Sequence, residues 1–180
     1  MTAEPELLIQ ARTGDQLAFR KLVEKHEQQV RATVLGMLGD CPEAMDVAQE
    51  VFIRFYKSMA QFKGDSSLGT YLTRIAINLS LNELKKRKRT TWLTFFKGNE
   101  EKEIQIEDTH SNPDRSDTRE MVNKALQLLE PDFRTVVVLR MIDGYSVKET
   151  AVMLNLPEGT VASRLARGQK KLKQILEKWM

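Results

Sequence analysis

The chain has 180 residues, with 28 Lys and Arg against 25 Asp and Glu and a net charge of +3, which suits one or two small domains with modest cores. A single cysteine, Cys41, excludes an internal disulfide, and two histidines, His26 and His110, give no metal-ligand set. No apolar run is long enough to span a membrane or to serve as the h-region of a signal peptide, so a reducing cytoplasm is expected.

The charge is unevenly spread. Residues 1–90 carry 14 basic and 11 acidic side chains, residues 91–118 carry 3 and 7, and residues 119–180 carry 11 and 7. Two basic ends around an acidic middle suggest two nucleic-acid-facing domains and a connector.

Glu6 to Arg12 reads as a short helix stopped near Gly14, and Asp15 is placed to cap the next one. Phe19, Leu22, Val23, His26, Val30, Val34, Met37 and Leu38 follow at helical spacing until Gly39. A third helix starts near Pro42 and runs to about Ala60, with Val47, Val51, Phe52 and Phe55 inward. Its outer face carries Asp46, Gln49, Glu50, Ile53 and Lys57. Ile53 reads equally as a lone exposed aliphatic or as the centre of a protein contact with a polar rim.

Phe62 to Thr70, FKGDSSLGT, is a loop. It leads into a helix from about Tyr71 to Arg89 whose outward stripe is Tyr71, Arg74, Asn78, Asn82, Lys85 and Arg89. Such a stripe can stack on bases, bond their edges and neutralise phosphate. It also fits an ordinary exposed helix whose KKRKR end meets its own dipole. Thr90 to Thr118 loses periodicity and reads as a flexible acidic linker, with an apolar start at Trp92 to Phe96.

Helices are expected over Arg119 to Glu130 and from Pro131 to just before Gly144. Ser146 and Glu149 then form a capping-box pattern, and Asn155 and Pro157 break that helix. A longer helix follows Pro157 and Gly159, with Val161, Leu165, Leu172, Ile175, Leu176 and Trp179 inward. Short helix, turn, long helix is the helix-turn-helix pattern. The outward side presents Thr160, Ser163, Ala166, Arg167 and Lys170, flanked by Arg164 and Lys171. Arginine reads guanine edges and hydroxyls are versatile, while lysines suit phosphates. The plainer alternative is a solvated basic face.

Two segments resemble a known family. Asp46 to Arg89, DVAQEVFIRFYKSMAQFKGDSSLGTYLTRIAINLSLNELKKRKR, is similar to region two of bacterial sigma factors of the extracytoplasmic-function (ECF) group. Leu129 to Leu176 is similar to their region four, including the pattern G-T-V-x-S-R-x-x-R. The resemblance implies an all-α protein of two small helical domains: 1–90 binding core polymerase and the −10 element, 91–118 a linker, and 119–180 binding the −35 element through the helix-turn-helix. By resemblance, Asp46, Gln49, Glu50 and Ile53 dock on the clamp helices of the largest subunit of core RNA polymerase, and the second domain meets its flap region. The −10 element falls to Phe62, Lys63, Gly64, Asp65, Ser66, Tyr71, Arg74, Asn78, Asn82 and Lys85, and the −35 element to Thr160, Ser163, Arg164, Arg167, Lys170 and Lys171. An anti-sigma factor, often membrane-bound in this family, is a further implied partner, with no insertion of this chain into the membrane.

P-loop, dinucleotide and nucleophile-elbow patterns are missing, so no enzyme, catalytic residue, cofactor or metal is expected. The competing reading is a helix-turn-helix repressor or activator that binds DNA without polymerase. It would need neither the D-x-x-Q-E surface nor the base-trapping loop.

Overall fold

The computed structural model describes residues 3–96 and 115–179. Among the described residues the chain is all-α. Helix α1 spans Glu4–Arg12, α2 Gln16–Leu38, α3 Pro42–Ser58 and α4 Leu68–Phe96; α5 spans Arg115–Gln127, α6 Pro131–Val137, α7 Val147–Leu154 and α8 Glu158–Glu177.

The local signals act as expected. Asp15 Oδ1 accepts from the N–H groups of Leu17 and Ala18 at 2.9 and 3.1 Å, satisfying two orphan donors of α2. Gly39 ends that helix at φ +77, a value glycine adopts without a Cβ penalty. The first half packs α2, α3 and α4 around Leu22, Val30, Phe55 and Leu72, each 1% exposed or less. Burying each such side chain contributes about 1.5–3 kcal/mol. His26 is buried and structural, its ring nitrogen 3.1 Å from Glu4 Oε2, which ties α1 to α2.

In the second half, α6 widens into a π-helical turn over Val138–Ile142. The Ser146 capping box is complete: Glu149 N–H donates to Ser146 Oγ at 3.1 Å, and Ser146 N–H donates to Glu149 Oε2 at 2.7 Å. Asn155 closes α7 in the left-handed region at φ 53, one of the few non-glycine residues that visit it readily. Val136, Ala151 and Val161 are buried together beneath the helix-turn-helix. Where α8 crosses α6, a Cβ on Gly168 would lie 2.8 Å from Val137 Cγ2, so glycine permits the close approach.

The halves pack directly on each other, chiefly along α2. The carbonyls that end α2 are capped by side chains from elsewhere: Gly36 by Gln127 Nε2 (3.1 Å), Met37 by Arg134 Nη1 (2.6 Å) and Leu38 by Arg87 Nη1 (3.3 Å). Arg134 is 5% exposed and also donates to Gln127 Oε1, Gln127 O and Leu129 O. Burial lowers its pKa to about 10, which leaves it charged at neutral pH. A polar knot adds to the seam. Gln29 Nε2 donates to Thr73 Oγ1 (3.1 Å) and to the Tyr145 hydroxyl (3.0 Å), and that hydroxyl donates to Thr73 Oγ1 (3.1 Å).

Four expectations need correction. Helix α4 starts at Leu68 and runs past Arg89 to Phe96, with the Thr90 and Thr91 hydroxyls satisfied by bonding back to Lys86 O and Arg87 O. Trp92 is therefore helical rather than part of a linker, and α5 begins at Arg115, ahead of Arg119. Within KKRKR, Arg87 caps α2 rather than its own helix and reaches Cys41 Sγ at 3.0 Å. Trp179 lies just beyond α8 and is 42% exposed, so it is not part of the inward stripe. The remainder of the expected linker, including Glu100, Glu101 and His110, lies outside the described residues.

Candidate nucleic-acid and protein interfaces

Asp46, Gln49 and Ile53 are exposed on α3, and Glu50 beside them is partly exposed and paired with Arg54 at 3.0 Å. The structure brings all four onto one face. Ile53 is 41% exposed and borders an apolar groove of about 300 Å³ between α2 and α3, lined by Phe19, Val23, Phe52 and Tyr56. Tyr56 is 53% exposed and stands edge-on to Phe19 at 5.0 Å between ring centroids. An exposed apolar groove with polar Gln49 and Lys57 at its edge has the anatomy of a contact with a partner protein. Sequence reading named Ile53, took Phe19 for a core position and did not place Tyr56. The position of Tyr56 three residues after Ile53 on the same helix was the available signal.

The loop before α4 divides into parts. Lys63, Gly64, Asp65 and Ser66 are exposed, with Gly64 at φ +80. Arg12 donates to Met59 O at 3.1 Å and to Phe62 O, which anchors the loop base. The Phe62 side chain is 8% exposed and packs against Tyr71 at 4.9 Å, so it belongs to the core and is not free to meet a base. Tyr71 is half-buried between Phe55 and Phe62, and its hydroxyl lies 3.0 Å from Ser58 Oγ. Its ring is already packed edge-on and tilted against two rings of the protein, contrary to a freely exposed platform. Arg74, Asn78, Asn82 and Lys85 are exposed along one side of α4, over about 16 Å of helix axis.

On α8, Ser163, Arg167 and Lys170 are exposed, and Thr160, Arg164 and Lys171 are partly so. The opposite side is sealed by Val161, Gly168 and Leu172. Ser163 Oγ donates to Thr160 O at 3.0 Å. Two acids at the start of α6, missed in the sequence, reach this surface. Asp132 Oδ2 is 2.8 Å from Arg164 Nη2, and Glu130 Oε1 is 2.6 Å from Lys171 Nζ. The Lys171 hydrogen bond holds the Glu130 pKa below the usual carboxylate value. Lys171 also sits 4.7 Å above the Phe133 ring. The face of α8 from Thr160 to Lys171 thus offers hydroxyls and cations on a slim rod, a shape that a major groove admits.

Among the described residues there is no cluster of His, Cys, Asp or Glu suited to a metal ion, and no helix is long and apolar enough to cross a membrane.

Comparison with known proteins assigns both halves. The family model described as Sigma-70 region 2 matches residues 22–90, and that described as Sigma-70, region 4 matches residues 119–172. Together they define a sigma-70-type transcription initiation factor. The RNA polymerase sigma-H factor of Pseudomonas aeruginosa is 33% identical, covering 97% of this chain and 94% of that protein. The ECF RNA polymerase sigma factor SigW of Bacillus subtilis is 33% identical, with 93% of each covered. The ECF RNA polymerase sigma-E factor of Escherichia coli K12 is 34% identical over 91% and 88%. The chain belongs to the ECF group of sigma factors. In solved structures, it is similar to CnrH in complex with the cytosolic domain of CnrY, with a TM-score of 0.65, 26% identity and 95% of each chain covered. The sigma factor RpoE in complex with the anti-sigma factor NepR from Bartonella quintana shares the fold at a TM-score of 0.69 and 22% identity, over 88% of this chain and 96% of that one.

Proposed function

We propose that this sigma factor divides its work among three surfaces. Asp46, Gln49, Glu50 and Ile53, with the groove at Phe19 and Tyr56, dock on the clamp helices of the largest subunit of core RNA polymerase. The exposed loop from Lys63 to Ser66 and the α4 stripe Arg74, Asn78, Asn82 and Lys85 capture melted −10 DNA, with Tyr71 at the edge of that stripe. Thr160, Ser163, Arg164, Arg167, Lys170 and Lys171 read and hold the −35 element. Region four also meets the flap region of the polymerase. The chain performs no catalysis of its own and works in the cytoplasm by positioning DNA and stabilising an extruded base, whose unstacking costs a few kcal/mol.

The observation that carries this reading is the Ile53 groove, edged by Gln49 and Lys57, on the same helix α3 that exposes Asp46 and Glu50. A repressor acting without polymerase has no use for it. The likeness to CnrH in complex with the cytosolic domain of CnrY, and to RpoE in complex with the anti-sigma factor NepR, supports an anti-sigma partner for this chain as well. The test is run-off transcription from genomic fragments with purified core enzyme, with and without this protein, and with Ile53→Asp. New start sites are expected with the wild-type chain and their loss with Ile53→Asp at unchanged helical circular dichroism. Equal start sites with and without the protein sink the reading.

A further inference from the structure

Two carboxylates stand beside the −35-reading helix, where phosphates would be repelled, and both are engaged. Arg164 Nη2 lies 2.8 Å from Asp132 Oδ2, with the arginine side chain 29% exposed and the aspartate 67%. The pair walls a cleft of about 460 Å³ shared with Phe133, Thr160, Ser163 and Arg167. Among the described residues Arg167 and Lys170, further round the helix, are exposed and make no ion pair. Arg164 is thus held while its neighbours are free. An exposed pair of this kind contributes only about 0–1 kcal/mol to stability, so folding gives little reason for it.

We propose that Asp132 is a positioning residue that sets −35 specificity by acting through Arg164. This rests on reading α8 as the −35 helix. A guanidinium has five N–H donors in a rigid fork. With Nη2 directed at Asp132, its remaining edge still offers donors to a base. A free arginine at the rim of a groove swings to a phosphate and adds affinity in any sequence. The held arginine must break its bond to Asp132 to do that. It therefore adds affinity mainly where a base edge presents acceptors to its fixed fork, as guanine does through O6 and N7. The Asp132 charge acts in the same direction, since it repels backbone in any register that brings phosphate against it.

The experiment uses the full-length chain assembled with core RNA polymerase on promoter fragments randomised across the −35 element, with occupancy read at several salt concentrations. Asp132→Ala is expected to lower discrimination at one base pair about fivefold, the low end of what one bidentate base contact supplies. It is also expected to raise occupancy of non-preferred sequences and steepen the salt slope by about one unit, as Arg164 turns to phosphate. In an Arg164→Ala background, the same substitution is expected to change base preference no further, because coupled residues are non-additive. An unchanged preference profile in Asp132→Ala overturns the inference, as does a shift that persists without Arg164. A wild-type holoenzyme that initiates normally with no −35 preference overturns the inference but leaves the polymerase reading standing. Absence of any protein-dependent occupancy overturns both.

Discussion

The Thr33 hydroxyl on α2 lies 2.9 Å from Oδ1 of Asp143, which follows the π turn of the other half. The same hydroxyl lies 3.0 Å from the Gln29 carbonyl. It has one hydrogen to give, so an ionised Asp143 and the carbonyl compete for it. A neutral Asp143 removes the conflict by donating to Thr33, which then donates to Gln29. Asp143 Oδ2 is buried with no hydrogen-bond partner among the described residues. Burial pushes the Asp143 pKa up to about 6, against the opposing bond from Thr33. The seam between the halves therefore includes a carboxyl group that holds its proton more tightly than a solvated one.

Closure is expected to depend on pH. In an open chain Asp143 is solvated, with a pKa near the ordinary 3.8; in the closed chain it is about 6. The closed state binds the proton more tightly, so its advantage is fully present below about pH 4 and is lost as pH rises through about 6. The loss is on the order of 3 kcal/mol at most. Small-angle scattering between pH 4.5 and 8 should show the radius of gyration rising near pH 6 in the wild type. Asp143→Asn, which cannot ionise, should stay compact throughout. Identical profiles for the two proteins would contradict this role.

On the proposed assignment of the two promoter elements, opening also follows from distance. By their names the −35 and −10 elements lie about 25 base pairs apart, roughly 85 Å at 3.4 Å per pair. A closed chain of this length has a radius of gyration of only about 16 Å. Gly36 offers a way to pry the seam apart, since a Cβ there would lie 3.0 Å from both Val138 Cγ2 and Ile142 Cδ1. Gly36→Leu should separate the halves while each keeps its own core, because leucine also favours helix over glycine. The expected result is an enlarged radius of gyration at pH 5 with unchanged helical circular dichroism. A compact Gly36→Leu protein would show that the seam yields without opening.

The features legible in the sequence were local. The Asp15 cap, the Gly39 stop and the Ser146–Glu149 box each depend on residues within three or four positions. The continuation of α4 past Arg89 was hidden because the basic run Lys85 to Arg89, with Thr90 and Thr91, interrupts the inward apolar stripe before Trp92. The packing of the two halves was hidden for a different reason. Gln29, Thr33 and Thr73 are polar and read as surface, yet they meet Tyr145 and Asp143 across more than 70 positions. Of the candidate sites, the exposed stripes of α3, α4 and α8 followed from helical angle alone. Pairing of Arg164 with Asp132 and of Lys171 with Glu130 did not, because it depends on how α6 crosses α8.

That crossing should be sensitive to a single methyl group. Gly168→Ala places Cβ 2.8 Å from Val137 Cγ2 and 3.4 Å from the Phe133 carbonyl. Alanine gains up to about 1 kcal/mol of helix propensity over glycine, but overpacking a fixed core contact costs about 1–3 kcal/mol. The short methyl of Val137 cannot swing away as a long side chain would, so the clash should win. A fall in Tm by a few degrees is expected in calorimetry of the full chain. A rise in Tm would mean that α6 shifts freely, and with it Glu130 and Asp132.

The two neighbouring lysines of α8 should behave differently on DNA. Lys170 is exposed and unpaired among the described residues, while Lys171 bonds Glu130 at 2.6 Å and covers the Phe133 ring. A lysine that neutralises one phosphate contributes about one unit to the salt slope of binding. Lys170→Ala should therefore weaken all sequences alike and make the slope shallower by about one unit. Lys171 must first give up Glu130, so Lys171→Ala should change the slope by clearly less. Arg167 is central on the same face, and Arg167→Ala should cost about 1–3 kcal/mol and relax preference at one base pair. All three are measured by titrating holoenzyme against a −35 library at several salt concentrations. Equal slopes for Lys170→Ala and Lys171→Ala would mean that Glu130 releases its lysine without cost. A base-specific change on removing Lys170 would exchange its role with that of Arg167.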